Sequence, residues 1–404
     1  MSDSIGVAVI GAGMAGKAHM AAWRNAPSLF GSTLPPVRLV SIGDVYEPLA
    51  AQAARRFGYA RHDTDWRAIA AADDIDVVSV VVANTLHREI VEGLLAAGKH
   101  VLCEKPLADS LEDARAMASA ADAAAARGQT ARVGFTYRRA PGLAAIKQFV
   151  EDSTLGRVLH VSGRYWTDYG SSPEVPFSWR FAGAPGTGAL ADVGSHLTYV
   201  AEFLAGEVRS VNGGLFTTTI TERPVAAGHV LRGQQAQFTG EVATVDNDDY
   251  ATFNARFGGG TAVGSLEVSR VAAAHPNGLV IEVFCENGAA RWDQERPSEI
   301  GLALRSDGSR LGGYRQVVLG PEHPYVAGGM AMDAPGVGWG QNQMFEYQAR
   351  AFLDEVTGNT TDPLPANATF DDGVHNMEVL DAVARSAASG GASLDVRTTE
   401  GANA

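Results

Sequence analysis

Three places in this 404-residue chain carry residue types and spacings that can do chemistry. The first is Gly11-Ala12-Gly13-Met14-Ala15-Gly16, a G-x-G-x-x-G pattern that follows an apolar run and opens a helical one. With 46 glycines in the chain the pattern alone is weak, and its position gives it meaning. Between a strand and a helix, the first glycine makes a tight turn and the second admits a pyrophosphate close to the backbone. The third lets helix and strand pack closely. The free N–H groups at the helix start then suit phosphate oxygens. Gly11, Gly13, Met14 and Ala15 are the expected contacts. Asp44 ends the next apolar run, where a carboxylate accepts hydrogen bonds from ribose hydroxyls and repels a 2′-phosphate. A bland alternative is that Asp44 caps the following helix. The first reading favours NAD over NADP. The spacing from Gly16 is longer than usual, and a loop insertion from Pro27 to Pro36 accounts for it.

The second place is the pair of loops after the fourth and fifth apolar runs, Asn84-Thr85-Leu86-His87 and Glu104-Lys105-Pro106. In open α/β sheets ligands bind beyond the carboxyl ends of the strands. Asn84, His87, Glu104 and Lys105 are therefore candidate cofactor contacts. Proline restricts the backbone of the residue before it, so Pro106 gives Lys105 a set direction. The third place is Gly188-Ala189-Leu190-Ala191-Asp192-Val193-Gly194-Ser195-His196. If both are helical, Asp192 and His196 share a face. A carboxylate raises the basicity of an imidazole and burial lowers it, which together tune a histidine to take a proton near neutrality. Alone, such a pair is more often a cap beside a surface histidine.

The elements that must position these residues are legible in outline. Ile5–Ile10, residues 37–42, 77–82, 100–103 and 132–135 read as strands, several apolar on both faces, alternating with alanine-rich helices. Ser110-Leu111-Glu112-Asp113 is a capping-box start for a helix running to Ala126. This predicts an α/β domain, a doubly wound parallel sheet of Rossmann type, over residues 1–135. From residue 136 to 404 the texture changes to β-branched and aromatic runs at 158–166, 208–219, 249–257, 261–269, 279–285 and 289–292. Turn signals such as Gly258-Gly259-Gly260 separate them. Helices follow at about 343–357 and 371–389, and Gly312 to Gly340 reads as a long ordered loop. The prediction is an α+β domain on a large, mostly antiparallel open sheet. Asp246-Asn247-Asp248-Asp249 lacks calcium-loop spacing and reads as a turn.

Composition narrows the function classes. Lys and Arg number 32 against 46 Asp and Glu, a net charge of −14 that argues against nucleic acid as a partner. No apolar run is long enough to span a membrane. Met1 to Ser4 shows no secretory pattern, and Cys103 and Cys285 lie in apolar stretches, so a reducing cytoplasm is expected. The ten histidines show no zinc spacing, so no metal is expected.

Taken in order, G-x-G-x-x-G, N-x-x-H, E-K-P and G-x-L-x-D-x-G-x-H resemble the Gfo/Idh/MocA oxidoreductase family over nearly the whole chain. The resemblance implies Lys105, Asp192 and His196 as catalytic residues and NAD as cofactor. It also implies oxidation of a secondary hydroxyl of a sugar, anhydrosugar, glycoside or cyclitol, and homodimers or homotetramers. It places Trp179 and Arg180 near the cofactor, and Tyr137, Arg138, His323 and Tyr325 in segments bordering the substrate. Ala83 stands where a proline usually precedes the asparagine, and Tyr199 where many relatives have an aspartate. Redox-neutral glycoside cleavage with tightly held NAD, or a non-enzymatic dinucleotide sensor, are the alternative readings.

Overall fold

A computed structural model describes residues 4–31, 34–228, 236–259, 261–307, 312–334, 336–361 and 364–396. Met1 to Asp3, Gly260 and Pro335, which enter the sequence reading, lie outside the described residues. The chain forms two compact units: residues 1–144 with 318–377, and residues 145–317 with 378–404.

In the first unit six strands, β1 (Ile5–Ile10), β2 (Val37–Gly43), β3 (Arg61–Asp63), β4 (Val77–Val80), β5 (His100–Cys103) and β6 (Ala131–Val133), pair in the order β3-β2-β1-β4-β5-β6. Every pairing is parallel. That is the doubly wound order, whose strand order reverses between β1 and β4. All residues of β1 and β4 are buried, which explains their unbroken apolar runs. The connecting helices are α1 (Met14–Asn25), α2 (Glu47–Phe57), α3 (Trp66–Ala71), α4 (His87–Ala96) and α5 (Leu111–Ala125). Ser110 caps α5 by accepting from the Asp113 N–H at 3.1 Å, as its spacing predicts. The short β3 and α3 escape the sequence reading because three-residue strands carry no periodicity.

The chain later returns to this unit, which the division at 135/136 does not anticipate. All of α8 (Gln341–Thr357) and the first part of α9 (Phe370–Ala388), up to Met377, belong to it. Phe345 and Phe352 of α8 meet His19 and Trp23 of α1 edge to face, at 5.3 and 6.0 Å. Arg132 at the end of the sheet pairs with Glu355 of α8 at 2.5 Å, and Val133 bridges Ala368. Phe30, in the insertion after α1, donates its N–H to Gly328, and Arg350 of α8 donates to the Leu29 carbonyl. The part of the predicted 312–340 loop from residue 318 onward thus belongs to the first unit, after a short strand at Arg315–Val318.

The second unit starts within α6 (Pro141–Glu151). Its strands are β7 (Val158–Trp166), β8 (Val208–Thr217), β9 (Glu222–Ala226), β10 (Phe238–Thr244), β11 (Tyr250–Phe257), β12 (Ala262–Ser269), β13 (Gly278–Cys285), β14 (Gly288–Asp293), β15 (Glu299–Leu304), β16 (Arg315–Val318) and β17 (Leu394–Asp395). Nine of them form one sheet, β16-β15-β14-β13-β7-β12-β11-β8-β17, while β9 and β10 pair separately. Within that sheet β12 and β7 run parallel, and the other pairings from β15 to β17 are antiparallel. One face is buried: Ala251, Phe253, Ala255 and Phe257 alternate with exposed Asn254 and Arg256. α7 (Ser195–Ala205) lies on that face. Gly163 of β7 allows the approach, because a Cβ there would sit 3.0 Å from Leu197 and 2.9 Å from Leu266.

Candidate active site

The glycine loop joins β1 to α1, and its three glycines do three different things. Gly11 has φ +104° and lies where a Cβ would be 2.0 Å from the Val81 carbonyl. At Gly16 a Cβ would fall 1.8 Å from the Gly11 carbonyl, so helix and strand approach closely only without a side chain. Gly13 is exposed and has open space around its missing Cβ. It is also the N-cap of α1, with no side-chain cap and no acidic residue in the first turn. An uncapped helix start facing open space offers free N–H groups to an anion. These features fit a dinucleotide pyrophosphate.

Asp44 stands at the end of β2. Its carboxylate accepts from the Ala12 N–H and the Tyr46 N–H, both at 2.9 Å, and ties the glycine loop to the next strand. Tyr46, not Asp44, is the N-cap of α2, so the capping alternative does not hold. Asp44 is only half-buried, and Val45 and Tyr46 beside it are exposed.

In the loops after β4 and β5 the residues part company. Asn84 is half-buried in a single turn and Lys105 half-buried before a cis proline. His87, read from the sequence as a cofactor contact, is fully buried. Its ring nitrogens face the Leu107 and Val82 carbonyls at 3.1 and 3.2 Å, and burial lowers its pKa. It joins the two loops. Glu104 is nearly buried too. One oxygen lies 2.9 Å from His19 Nε2, and the other accepts from the Lys105 N–H at 3.2 Å. His19 Nδ1 and Trp23 Nε1 both reach the Ser79 hydroxyl, at 3.0 and 2.9 Å. This buried network pins the backbone that presents Lys105.

Of the expected substrate-site residues in this unit, Tyr137 and Tyr325 are core side chains. Tyr137 accepts from Gln341 at 3.4 Å; Tyr325 accepts from the buried Arg139 at 3.0 Å and stacks on Tyr347 at 4.9 Å. Both rings are thus packed into the first unit, and Tyr325 has one face against Tyr347. Arg138 and His323 are half-buried. His323 Nδ1 accepts from the Tyr325 N–H at 3.2 Å, and burial lowers its pKa to about 4.

In the second unit Asp192 sits in a π-helical turn, Leu190–Gly194, that runs into α7 at Ser195. The α-helical spacing assumed from the sequence is therefore widened at Asp192. The Tyr169 hydroxyl donates to Asp192 at 2.7 Å, and Arg180 Nε lies 3.9 Å from the same oxygen. Burial, and then the Asp192 charge, push the Tyr169 phenol well above its usual value, so it remains a donor to the carboxylate. Arg180 stacks on the half-exposed Trp179, 4.4 Å from the ring centre. His196, in the first turn of α7, is half-buried with its ring 6.1 Å from that of Tyr165. A carboxylate held by a phenol and a guanidinium, one turn from an imidazole, can orient a general base. Lys105 belongs to the first unit, Asp192 and His196 to the second.

Residues 5–135 match the oxidoreductase family with an NAD-binding Rossmann fold, and residues 143–291 match the GFO/IDH/MocA C-terminal domain. Levoglucosan dehydrogenase of Pseudarthrobacter phenanthrenivorans is 37% identical over 96% of this chain and 97% of its own. The chain belongs to the Gfo/Idh/MocA oxidoreductase family. Two solved structures extend the likeness to three dimensions. One is an oxidoreductase domain protein from Kribbella flavida, 34% identical with a TM-score of 0.85 over 98% of this chain and 100% of that one. The other is levoglucosan dehydrogenase in complex with NADH and levoglucosan, with the same four values. As in the family, the parallel sheet is an NAD-binding Rossmann domain and the large mixed sheet belongs to the C-terminal domain.

Tyr169 and His19 belong to no sequence motif of this chain. Their significance comes from partners 23 and 85 positions away. Among the described residues no group of three or more His, Cys, Asp or Glu is arranged to hold a metal ion, and no helix is long and apolar enough to cross a membrane.

Proposed function

We propose that this protein oxidises a secondary hydroxyl of a sugar, anhydrosugar, glycoside or cyclitol to a ketone or lactone, with NAD in preference to NADP. The observation that supports it most is the full-length likeness to levoglucosan dehydrogenase, which takes in both the NAD-binding and the C-terminal domain. His196 takes the hydroxyl proton as general base, and Asp192, held by Tyr169, orients its imidazole. Lys105 donates to the same oxygen and stabilises negative charge as the proton leaves. Gly11, Gly13, Met14, Ala15 and Asp44 hold the dinucleotide, and Asn84, Trp179 and Arg180 complete its contacts. NAD, when bound, supplies the acceptor for the hydride from the carbinol carbon.

A screen for NADH formation across levoglucosan and other anhydrosugars, aldoses, glycosides and inositols, repeated with NADP, tests the reading. Lys105→Ala is expected to lower turnover at least about 100-fold, the scale of losing one aimed charge donor. Its NAD affinity, followed by fluorescence titration, should stay near that of the parent. Near-normal turnover in that variant would sink the assignment of Lys105.

A further inference from the structure

Three consecutive side chains in the loop before β11, Asn247, Asp248 and Asp249, are almost completely buried. Each reaches to a different backbone segment. Asp248 Oδ1 accepts from the Gly186 N–H at 2.7 Å and the Gly188 N–H at 3.0 Å, while Oδ2 accepts from the Leu190 N–H at 2.8 Å. The Asp248 carbonyl accepts from Ala189 at 2.8 Å. A side chain on Gly188 would lie 2.1 Å from that carbonyl, which is why the segment needs glycine there. Asn247 Nδ2 donates to the Arg180 and Ala182 carbonyls at 3.0 and 3.2 Å. Asp249 accepts from the Thr219 and Ile220 N–H groups and from Arg270 Nε at 2.7 Å. Arg270 closes the set by donating to Asn247 Oδ1 at 2.8 Å and to the Arg180 carbonyl at 2.7 Å.

We propose that Asn247, Asp248, Asp249 and Arg270 form a positioning clamp that sets the geometry of Arg180 and Asp192. The two segments carrying those residues share no strand or helix with one another, and both hang on this one loop. Asp248 holds the alternate amides that lead into the π-helical turn of Asp192, while Asn247 and Arg270 hold the carbonyl of Arg180. The 3.9 Å approach of Arg180 to Asp192 is thus set from behind, through the backbone of both segments. A carboxylate accepting three backbone N–H bonds is the arrangement that an anion-binding nest makes, here filled by the protein's own side chain. The clamp's catalytic consequence rests on the proposed roles of Asp192 and His196.

The test is Asp248→Asn, whose amide would turn an N–H toward at least one of the three donors. Hydrogen exchange of the peptide covering residues 183–194, followed by mass spectrometry, is expected to speed up at least tenfold. Turnover should fall at least tenfold with the KM for NAD within twofold, and the acid limb of the kcat/KM profile should move by half a pH unit or more. Val283→Ala, a core truncation in β13, is the control. It should lower Tm without changing the 183–194 exchange or the pH profile. Asn247→Ser, which removes one of the two donors to the Arg180 carbonyl and leaves Asp248 in place, tests the clamp from the other side if Asp248→Asn does not fold. Unchanged exchange in the 183–194 peptide overturns the clamp. So does a Tm loss with the parental turnover and pH profile. Absence of activity in the parent on every polyol would fail the proposed function alone, since the exchange measurement still reads the clamp.

Discussion

Asp44 is already bound at both carboxylate oxygens by backbone N–H groups, yet half of it faces solvent beside Val45 and Tyr46. That dual role sets two consequences for one substitution. Asp44→Ser should weaken NAD roughly tenfold, about the 1.4 kcal/mol of one charged hydrogen bond, and narrow the preference over NADP. An unchanged NAD/NADP ratio of kcat/KM would show that Asp44 does not read the ribose. His323 carries a different kind of prediction. Its folded pKa of about 4 lies below the unfolded value of 6.5, so between those limits the unfolded chain binds the extra proton. Stability contributed by neutral His323 is therefore full above pH 6.5 and is lost as the pH falls toward 4, by at most about 3 kcal/mol. Denaturant melts of His323→Gln at pH 7 and pH 4.5 should show a smaller acid loss than the parent. Equal losses would place the acid sensitivity elsewhere.

At the scale of elements, helix starts separate binding from stability. α5 begins with a turn capped by Ser110, and α1 begins with an uncapped glycine turn, the one proposed to meet a phosphate. Ser110→Ala should cost about 1 kcal/mol by urea melt and leave NAD binding untouched. Gly16→Ala attacks the other start. A methyl 1.8 Å from the Gly11 carbonyl must push α1 off β1, so stability falls by about 1–3 kcal/mol and NAD affinity falls with it. Retained affinity in a folded Gly16→Ala protein would show that the close packing of α1 is dispensable for the cofactor.

For the whole molecule, ligand linkage is the simplest readout. If the proposed preference is right, NAD at 100 times its Kd adds about 2.7 kcal/mol to the stability of the Rossmann unit, and the same concentration of NADP adds less. Scanning calorimetry with each nucleotide checks it, and an equal shift would argue against the preference. The −14 charge sets a second expectation, that the protein passes unretained over a DNA column at physiological salt.

Much of this was open to reading along the chain. Buried parallel strands need apolar residues on both faces, and dinucleotide turns need glycine where a Cβ would strike backbone. β1, β4, Gly11 and Gly16 therefore announce themselves by composition and spacing. The nine-stranded sheet shows through alternation in β11 and β12, because only one of its faces is covered. What stayed hidden depends on contacts across long stretches of chain. The return of residues 318–377 to the first unit is fixed by packing of α8 on α1, which no local pattern encodes. Tyr137, Tyr325 and His87 sit at promising sequence positions, and only the fold shows that all three are buried, beside Gln341, Arg139 and two backbone carbonyls. Conversely, Asn247-Asp248-Asp249 looks like a solvated turn until the fold brings the Gly186, Gly188 and Leu190 amides onto one carboxylate. Local chemistry follows from residue type and spacing; whether a polar group is free to act depends on which distant partner has already claimed it.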